Sequence, residues 1–482
     1  MDKFYLDLII AFCLLAGTIF SFRLLFKKKY ALALVLTLLT GLVLRTYLSS
    51  DPYLHHWDER YHALVAKNMV DHPLTPTLFE APVLPYDQED WIGSHVWLSK
   101  PPVPLWNMAA SIAAFGNSEF ALRIPSIILS LLAVFITFLI GKELFSRNIG
   151  LIAAFLHAIN GLIIECAAGR VSSDHVETCF IVLVELAAYF LILSIRREKA
   201  RKFIFLAGVF TGLAFLSKWF PALLIFPLWL IAFVFSDRFN WKDLLINGAI
   251  LVTATAIVVL PWIIQINSFE DDILNRVLFA FSEPIQKHEH PLFYYWHQIM
   301  IIFGEFIYIP LLFMGWKVWK NTDRFQLIVL LSWVLIPLII FTLGGTKRHT
   351  YILIAAPAFF LITAYLFDFL HTKLKSMKYK WAGIVVMIGL IALPLRYSIE
   401  RLKLFQKQAE LSVFYQKREN WEGKFDQHDV VVGCPENIEL MYYTDVKAAY
   451  HLIPSPDKIT DLNEQGYNVY LYRHGEFVLQ KD

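Results

Sequence analysis

The chain has 482 residues, of which 57% are hydrophobic and 17% are charged, and its mean hydropathy is +0.52. Soluble domains contain about 45–50% apolar and about 25% charged residues, so this composition indicates an integral membrane protein. The formal net charge of +2 argues against a nucleic-acid partner. The four cysteines form no CxxC motif and no plausible disulfide framework, so they say little about the redox compartment.

Long apolar runs dominate the first 397 residues. A helix needs about 20 apolar residues to cross the hydrocarbon core, and by that criterion we predict about twelve transmembrane helices. The predicted spans lie near residues 5–26, 30–48, 120–145, 149–168, 176–195, 203–217, 220–236, 244–266, 296–316, 325–344, 350–370 and 381–397. The run at 104–115 is too short to cross and is expected to lie in the interface. The first run has no small-residue cleavage site, which favours a retained helix over a signal peptide.

Lysine and arginine are concentrated in one set of short loops, such as RREKARK at 196–202 and KSMKYK at 375–380. These loops fall on one side of the membrane if the spans alternate, and basic loops remain in the cytoplasm. The first long loop (51–119) and everything after residue 398 then lie on the other side. The prediction is a membrane protein with its C-terminus and its polar loops outside the cytoplasm.

The tail after residue 398 has the pattern of a small α/β domain. Strands are expected at DVVVGC (429–434) and AAYHLI (448–453), separated by a helix, and SPDKITDLNEQG (455–466) is typical of a capped helix. The last apolar stretch predicts a hairpin that turns at His474-Gly475. The fold class is therefore an all-α polytopic membrane domain over 1–397, with a small C-terminal α/β domain over 398–482.

Charged residues gather in the predicted outer loops, and each has two interpretations. Asp58 precedes a stretch of helical apolar spacing, so it is either an N-cap, with Glu59 complementing the helix dipole, or a catalytic carboxylate. Asp174 either caps the span that begins near residue 176 or belongs to the same site. Lys100, before two prolines, either extends toward the interface or binds a ligand. Lys347 breaks the positive-inside pattern, which favours an anionic ligand.

Three further groups of polar residues leave their roles open. Arg348 follows Lys347 and shares its interpretation. The HEHP segment at 288–291 resembles part of a metal site, although polar residues in a loop are usually solvated. Glu185 and Glu305 lie within predicted spans, where ionisable residues are functional candidates by default, and the sequence shows no partner for either.

Five segments, in this order along the chain, resemble the bacterial polyprenyl-phosphate-sugar glycosyltransferases of the GT-C superfamily. The resemblance covers roughly residues 30–370. The family that the chain resembles is related to the protein O-mannosyltransferases and to the lipid A aminoarabinose transferases. The segments are WDERYHALVAKNM (57–69), KPP (100–102), GRVSSDH (169–175), HPLFYYW (290–296) and TKRHTYILIAAP (346–357).

This resemblance implies an inverting transfer of a sugar from a polyprenyl-phosphate donor to an acceptor hydroxyl on lipid A, another cell-envelope glycan or a protein. It implies catalytic roles for three carboxylates, namely Asp58, Glu59 and Asp174. It also implies that the donor phosphate is bound by four residues, namely Lys100, Lys347, Arg348 and Tyr351. No nucleotide site is required, and the sequence contains no GxGxxG or Walker A motif.

The chain departs from the aminoarabinose transferases at several positions. Ser99 stands where they have a Glu before Lys-Pro-Pro, and Tyr61 stands where they have an Arg. Their His-containing metal-binding segment has no clear counterpart here, and the residues that could replace it are His288, Glu289 and His290. No cofactor is therefore certain, a divalent metal stays open, and the aminoarabinose substrate is not assumed.

Two other function classes compete with this one. A transporter or flippase of lipid-linked saccharides would place charges within its spans, commonly in repeated halves. Here the charges gather outside the spans and no repeat is visible. A non-catalytic anchor for the C-terminal domain would not need so many spans.

Overall fold

Helices form most of the regular structure before residue 421, and a small sheet follows. A computed structural model of the chain describes residues 3–85, 95–197, 200–269, 290–320, 325–376, 378–406 and 409–480. Its helices are α1 (Lys3–Phe26), α2 (Tyr30–Leu48), α3 (Glu59–Asn68), α4 (Pro102–Phe115), α5 (Glu119–Leu144), α6 (Arg147–Ala158), α7 (Gly161–Ala167), α8 (Asp174–Arg196), α9 (Ala200–Lys218), α10 (Ile225–Val234), α11 (Trp241–Asn267), α12 (Tyr294–Phe303), α13 (Tyr308–Lys320), α14 (Phe325–Leu343), α15 (Ala356–Lys373), α16 (Lys380–Leu402), α17 (Ala409–Trp421), α18 (Asn437–Tyr443) and α19 (Pro456–Glu464). Short 3₁₀ segments lie at Phe220–Leu224, His349–Ala355 and Leu374–Ser376.

Eight helical segments in the described part of the chain are long and apolar enough to cross a membrane. Two bent pairs, α6 with α7 and α12 with α13, raise the number to ten if each pair is one span. This is fewer than the predicted total of about twelve. The difference lies at 203–217 and 220–236. Among the described residues, α9 is not counted as a span, and Phe220–Val234, which has Pro221 in its first turn, is a shorter apolar helix.

The chain divides into two compact units. The helical unit comprises Met1–Ser49, Ser126–Ala168 and Ser173–Phe405. The loop–tail unit comprises Ser50–Pro125, Gly169–Ser172 and Gln406–Asp482. The sequence predicted one boundary near residue 398, whereas this division groups the first long loop with the tail.

Two helices of the helical unit approach each other through glycines. A Cβ atom added to Gly141 of α5 would lie 2.6 Å from the Cα of Gly150 in α6, and one added to Gly150 would lie 2.5 Å from the carbonyl oxygen of Phe138. Small residues allow this close backbone contact, which is a common way to pack helices where no hydrophobic effect drives them together.

The loop–tail unit contains a four-stranded sheet with strands β1 (Asp429–Val432), β2 (Ala448–Ala449), β3 (Asn468–Arg473) and β4 (Glu476–Gln480). The order is β2-β1-β3-β4, with β1 parallel to both of its neighbours and β3 antiparallel to β4. The predicted hairpin turn is confirmed, since His474 and Gly475 have φ values of 52° and 90°. Ser455 caps α19 as predicted. Helix α17 was not predicted from the sequence pattern.

We expect Gly150→Ala to destabilise the helical unit, because the new methyl group would press against the backbone of α5. Overpacking of this kind typically costs about 1–3 kcal/mol. Thermal unfolding of the purified protein in detergent measures the change. Gly315→Ala in α13 is the matched control, since an added Cβ there meets no described atom within 4 Å. Equal unfolding temperatures for the two variants would contradict the packing argument.

Candidate active site

Asp58 lies at the N-cap position of α3, but its side chain does not cap the helix. Its backbone has φ −67° and ψ −26°, and its carboxylate bonds to no described N–H of the first turn. Instead, its Oδ2 lies 3.5 Å from the Nζ of Lys100, and the two side chains are 29% and 25% exposed. The geometry therefore favours a partly open carboxylate–ammonium pair over the N-cap interpretation.

Glu59, the next residue, has a different environment. Its side chain is fully buried, and Arg123 of α5 binds both of its carboxylate oxygens, at 2.7 Å and 3.0 Å. The Oε2 atom also accepts the backbone N–H of His55 at 2.7 Å. The remaining donors of Arg123 bind the carbonyl oxygens of Asp51 and Tyr53. Glu59 therefore fixes the turn before α3 to the start of α5.

His55 joins Glu59 to a second buried carboxylate. Its Nδ1 lies 2.6 Å from Glu59 Oε2, and its Nε2 lies 3.1 Å from Asp51 Oδ2. Arg170 contacts the same oxygen of Asp51 through Nε at 2.9 Å and Nη2 at 2.7 Å. An imidazolium has two N–H donors, which matches two carboxylates on opposite sides of the ring. These residues, with Arg123, form one buried charge network.

The network shifts the pKa of two of its members in opposite directions. Burial alone would lower the pKa of His55, but the charge of Glu59 and the bonds to Asp51 and Glu59 outweigh it and raise that pKa, against the opposing charge of Arg123. Burial would raise the pKa of Asp51, but its hydrogen bond to His55 and the charge of Arg170 outweigh it and lower that pKa. Both shifts favour the charged forms.

In the helical unit, Asp174 is the first residue of α8 and is fully buried. Its Oδ1 accepts the backbone N–H of Val176 at 3.4 Å, so part of its role is to stabilise the helix start. Glu177, one turn later, is also buried and forms an ion pair with Lys218 at the end of α9. The ammonium of Lys218 lies 4.8 Å from the ring centre of Tyr351. This contact brings a residue predicted for donor binding next to a buried ion pair.

The predicted phosphate-binding residues Lys347 and Arg348 directly precede the 3₁₀ segment that contains Tyr351. Lys347 is only 7% exposed, and its ammonium donates to the carbonyl oxygen of Gly344 at 3.0 Å. The carbonyl oxygen of Arg348 accepts a hydrogen bond from the Tyr295 hydroxyl at 3.2 Å. Both contacts fix the backbone just before the span that begins at residue 349.

Of the suggested metal ligands, His288 and Glu289 lie outside the described residues. His290 stacks on the ring of Tyr294, with ring centres 4.1 Å apart. Within the described ranges, no three His, Cys, Asp or Glu side chains are grouped to hold a metal ion.

The two carboxylates predicted inside spans have partners that the sequence did not reveal. Glu185 accepts a hydrogen bond from Thr137 at 3.0 Å, and His157 lies 3.5 Å from it. Glu305 pairs with Arg396 of α16. All these partners are distant in sequence, so no local pattern could have identified them.

Several residues of the charge network were also missed. Arg123 was assigned to a span, and Asp51, His55 and Arg170 were not singled out. One signal was available, because Asp51, His55 and Glu59 are each four residues apart and Arg170 precedes the SSDH segment. Spacing alone does not show that Arg123 binds Glu59 or that Arg170 binds Asp51.

The chain is similar in sequence to known membrane glycosyltransferases. Residues 99–264 match a family model described as dolichyl-phosphate-mannose-protein mannosyltransferase. A relative from Pseudomonas aeruginosa, named undecaprenyl phosphate-alpha-4-amino-4-deoxy-L-arabinose arabinosyl transferase, is 28% identical over 291 residues, 55% of this chain and 49% of the relative. The chain spans about half the length of the curated relatives it matches.

Two solved structures share the fold. The crystal structure of ArnT from Cupriavidus metallidurans bound to undecaprenyl phosphate has a TM-score of 0.65 at 14% identity, covering 91% of this chain and 92% of that one. The oligosaccharyltransferase AglB from Archaeoglobus fulgidus, in complex with an inhibitory peptide and a dolichol-phosphate, has a TM-score of 0.61 at 15% identity, covering 92% and 69%. The predicted fold class and the resemblance to polyprenyl-phosphate-sugar glycosyltransferases are confirmed.

The opposite pKa shifts of His55 and Asp51 predict a limited pH range of greatest stability. A raised pKa for His55 gives stabilisation that is complete below about 6.5, its unfolded value, and is lost as the pH rises through the folded pKa. A lowered pKa for Asp51 gives stabilisation that is complete above about 3.9 and is lost as the pH falls through the folded pKa. The unfolding temperature should therefore fall on the alkaline side because His55 loses its proton.

Thermal unfolding in detergent from roughly pH 5 to pH 9 tests this, since ordinary histidines change charge within that range. His55→Gln should have a lower unfolding temperature near pH 6 and a flatter alkaline slope than the wild type. The exposed His428 provides the control variant His428→Gln, which should keep the wild-type slope. An unchanged slope in His55→Gln would show that the imidazole does not carry the pH dependence.

Proposed function

We propose that this chain is a membrane glycosyltransferase that moves a sugar from a polyprenyl-phosphate donor to an acceptor hydroxyl. The observation that carries the proposal is the pair of Asp58 and Lys100. A carboxylate that is partly open and is not used as a helix cap lies 3.5 Å from an ammonium group. The shared fold and the similarity of residues 99–264 to a mannosyltransferase family support the same chemistry.

Asp58 is the proposed general base. As the acceptor oxygen attacks the anomeric carbon, its proton passes to the Asp58 carboxylate, the new C–O bond forms, and the bond from the anomeric carbon to the phosphate oxygen breaks. The lipid phosphate leaves with the electron pair of that bond, and attack from the opposite face inverts the anomeric carbon. A positioned base of this type typically contributes about 10²–10⁴ in rate.

Cations stabilise the phosphate leaving group in the proposed mechanism. Lys100 supplies one positive charge beside Asp58 in the loop–tail unit. In the helical unit, Lys347 and Arg348 supply others, and Tyr351 offers a hydroxyl. Such groups act most strongly in a site that excludes water, where their dipoles and charges need not reorient during the reaction.

The other two predicted carboxylates receive different roles. We assign Glu59 to positioning, because its carboxylate is fully buried and is held by Arg123 and His55. Its contact with Arg123 fixes the backbone turn that carries Asp58. Asp174 is proposed as a second acidic group of the reaction, in addition to its contact with the start of α8.

The proposed chemistry requires only that the acceptor has a hydroxyl group, so the acceptor is not taken from the name of one relative. Lipid A, another cell-envelope glycan and a secreted protein all present hydroxyl groups. Ser99 and Tyr61 replace residues of the aminoarabinose transferases, so the sugar need not be aminoarabinose. The proposed location is the bacterial inner membrane, with the site and the C-terminus outside the cytoplasm.

Asp58→Asn should nearly abolish sugar transfer while the protein still inserts, folds and binds the donor. Asn is nearly isosteric with Asp and is a good residue at a helix start, but it cannot accept the proton, so we expect a loss of about 10²–10⁴ in kcat. The assay uses protein in detergent, synthetic polyprenyl-phosphate sugars and a panel of acceptors. Asp71→Asn, on an exposed turn after α3, is the matched control.

Two outcomes would contradict this assignment. Full activity of Asp58→Asn would remove Asp58 from the chemistry and leave it as a residue of the helix start. A wild-type protein that moves lipid-linked saccharides across vesicles, but transfers no sugar to any acceptor, would favour the flippase alternative.

Single-cysteine labelling tests the proposed orientation. Asp457→Cys in the tail should react with a membrane-impermeant maleimide in intact spheroplasts, and Lys375→Cys in a basic loop should react only after permeabilisation. Both positions are exposed, and the half-buried Cys13 is replaced by Ser in both variants. The reverse pattern would place the tail in the cytoplasm, because the basic loops would then lie outside.

A further inference from the structure

The tail contacts α3 at both ends through the short helix α18. Near the start of α3, Nη1 of Arg60 contacts the two carboxylate oxygens of Glu439 at 3.1 Å and 3.3 Å. Near its end, the ammonium of Lys67 donates to the carbonyl oxygens of Met441 and Tyr442, each at 3.0 Å. The last carbonyl groups of a helix have no partner within the helix, so Lys67 satisfies groups that α18 itself leaves open.

Tyr443 of α18 binds two further segments of the first loop, one before α3 and one at the start of α5. The hydroxyl of Tyr443 donates to Glu119 Oε1 at 2.8 Å and accepts the backbone N–H of Leu54 at 2.9 Å. Burial, together with the charge of Glu119, raises the pKa of Tyr443, so its hydroxyl keeps its proton. Glu119 begins α5, one turn before Arg123. Tyr443 therefore fixes the helix whose arginine holds Glu59.

The tail and the region around α3 share one apolar core. A single cluster of buried side chains includes Leu64 from α3, Met69 just after it, Leu440 and Met441 from α18, and Val431 from the sheet. Loop segments before α4 join it through the hydroxyl of Tyr450, which accepts the backbone N–H groups of residues 83 and 84. A core of this kind does not form between two domains that only touch at their surfaces.

We infer that the C-terminal α/β domain is a positioning element of the active site, in which Glu439 and Tyr443 hold the turn that carries Asp58. This inference rests on the proposed function, because it takes Asp58 as the catalytic carboxylate. Glu439 acts from one side of that turn through Arg60, two residues after Asp58. Tyr443 acts from the other side through Leu54 and through the start of α5.

Positioning of this kind affects turnover more than donor binding. A displacement of about 1 Å in a reacting group can lower the rate by about 10²-fold, even if the altered residue never touches the substrate. We expect Glu439→Gln and Tyr443→Phe each to lower kcat by about 10- to 100-fold, with the donor KM changed less than about threefold. The yield of folded protein in detergent should stay close to that of the wild type.

A matched control separates this role from a general effect of the tail. Lys447→Gln removes another ion pair between the tail and the first loop, from Lys447 to Glu80 at 2.6 Å, and leaves the bonds of Glu439 to Arg60 and of Tyr443 to Glu119 in place. This variant should keep the wild-type kcat. If it loses as much turnover as Glu439→Gln, the contact with α3 has no special role and the inference is overturned.

Reversing the charges of Arg60 and Glu439 tests whether their ion pair itself affects turnover. A general loss of stability in the tail would not be repaired by the second substitution. Arg60→Glu should lower kcat, because two carboxylates would then face each other. Arg60→Glu with Glu439→Arg should recover at least about tenfold of that loss by restoring an ion pair of reversed direction. Absence of recovery, together with wild-type kcat in Tyr443→Phe, would overturn the inference.

These measurements also distinguish the inference from the proposed function. If the wild-type protein transfers no sugar from any polyprenyl-phosphate donor, the proposed function fails and with it the catalytic meaning of Asp58. If the wild type is active and the Glu439 and Tyr443 variants equal it in kcat, the function stands and the positioning role is refuted.

Discussion

The ion pair between Arg123 and Glu59 connects three stretches of chain that are far apart in sequence. Glu59 begins α3, Arg123 belongs to the start of α5, and the other donors of Arg123 bind the backbone of the segment at 51–53. Both side chains are fully buried. Removing one partner from such a pair leaves an uncompensated charge and typically costs about 3–5 kcal/mol, so each residue requires the other. The placement of Asp58 follows from this constraint.

Adjacent carboxylates at a helix start acquire different environments because of helix geometry. Successive side chains on an α-helix point about 100° apart, so Asp58 and Glu59 point in different directions. Glu59 is fully buried against Arg123, whereas the Asp58 side chain is 29% exposed beside Lys100. One residue therefore holds the structure while its neighbour stays partly exposed. An adjacent pair of this kind combines a fixed backbone with an accessible carboxylate.

The helical unit also pairs its buried carboxylates with basic side chains. Glu177 pairs with Lys218, Glu165 pairs with Arg401 at 2.7 Å, and both carboxylates are almost completely buried. Ionisable groups within apolar helices are costly, so they are found paired or lining a functional cavity. The contact of Lys218 with Tyr351 connects one of these pairs to the 3₁₀ segment that Lys347 and Arg348 precede.

The sequence by itself determined the features that depend on local pattern. Apolar length identified most spans, and the strands, the Ser455 cap and the His474-Gly475 turn follow from short-range chemistry, as does the helix after Asp58. The tertiary structure decided which charges meet. Local sequence periodicity does not show whether Asp58 caps its helix or whether Arg123 binds Glu59. Both depend on contacts between residues that are far apart in sequence, up to 64 positions in the case of Arg123 and Glu59. The grouping of the tail with the first loop also rests on such contacts, because Glu439 is 379 positions from Arg60.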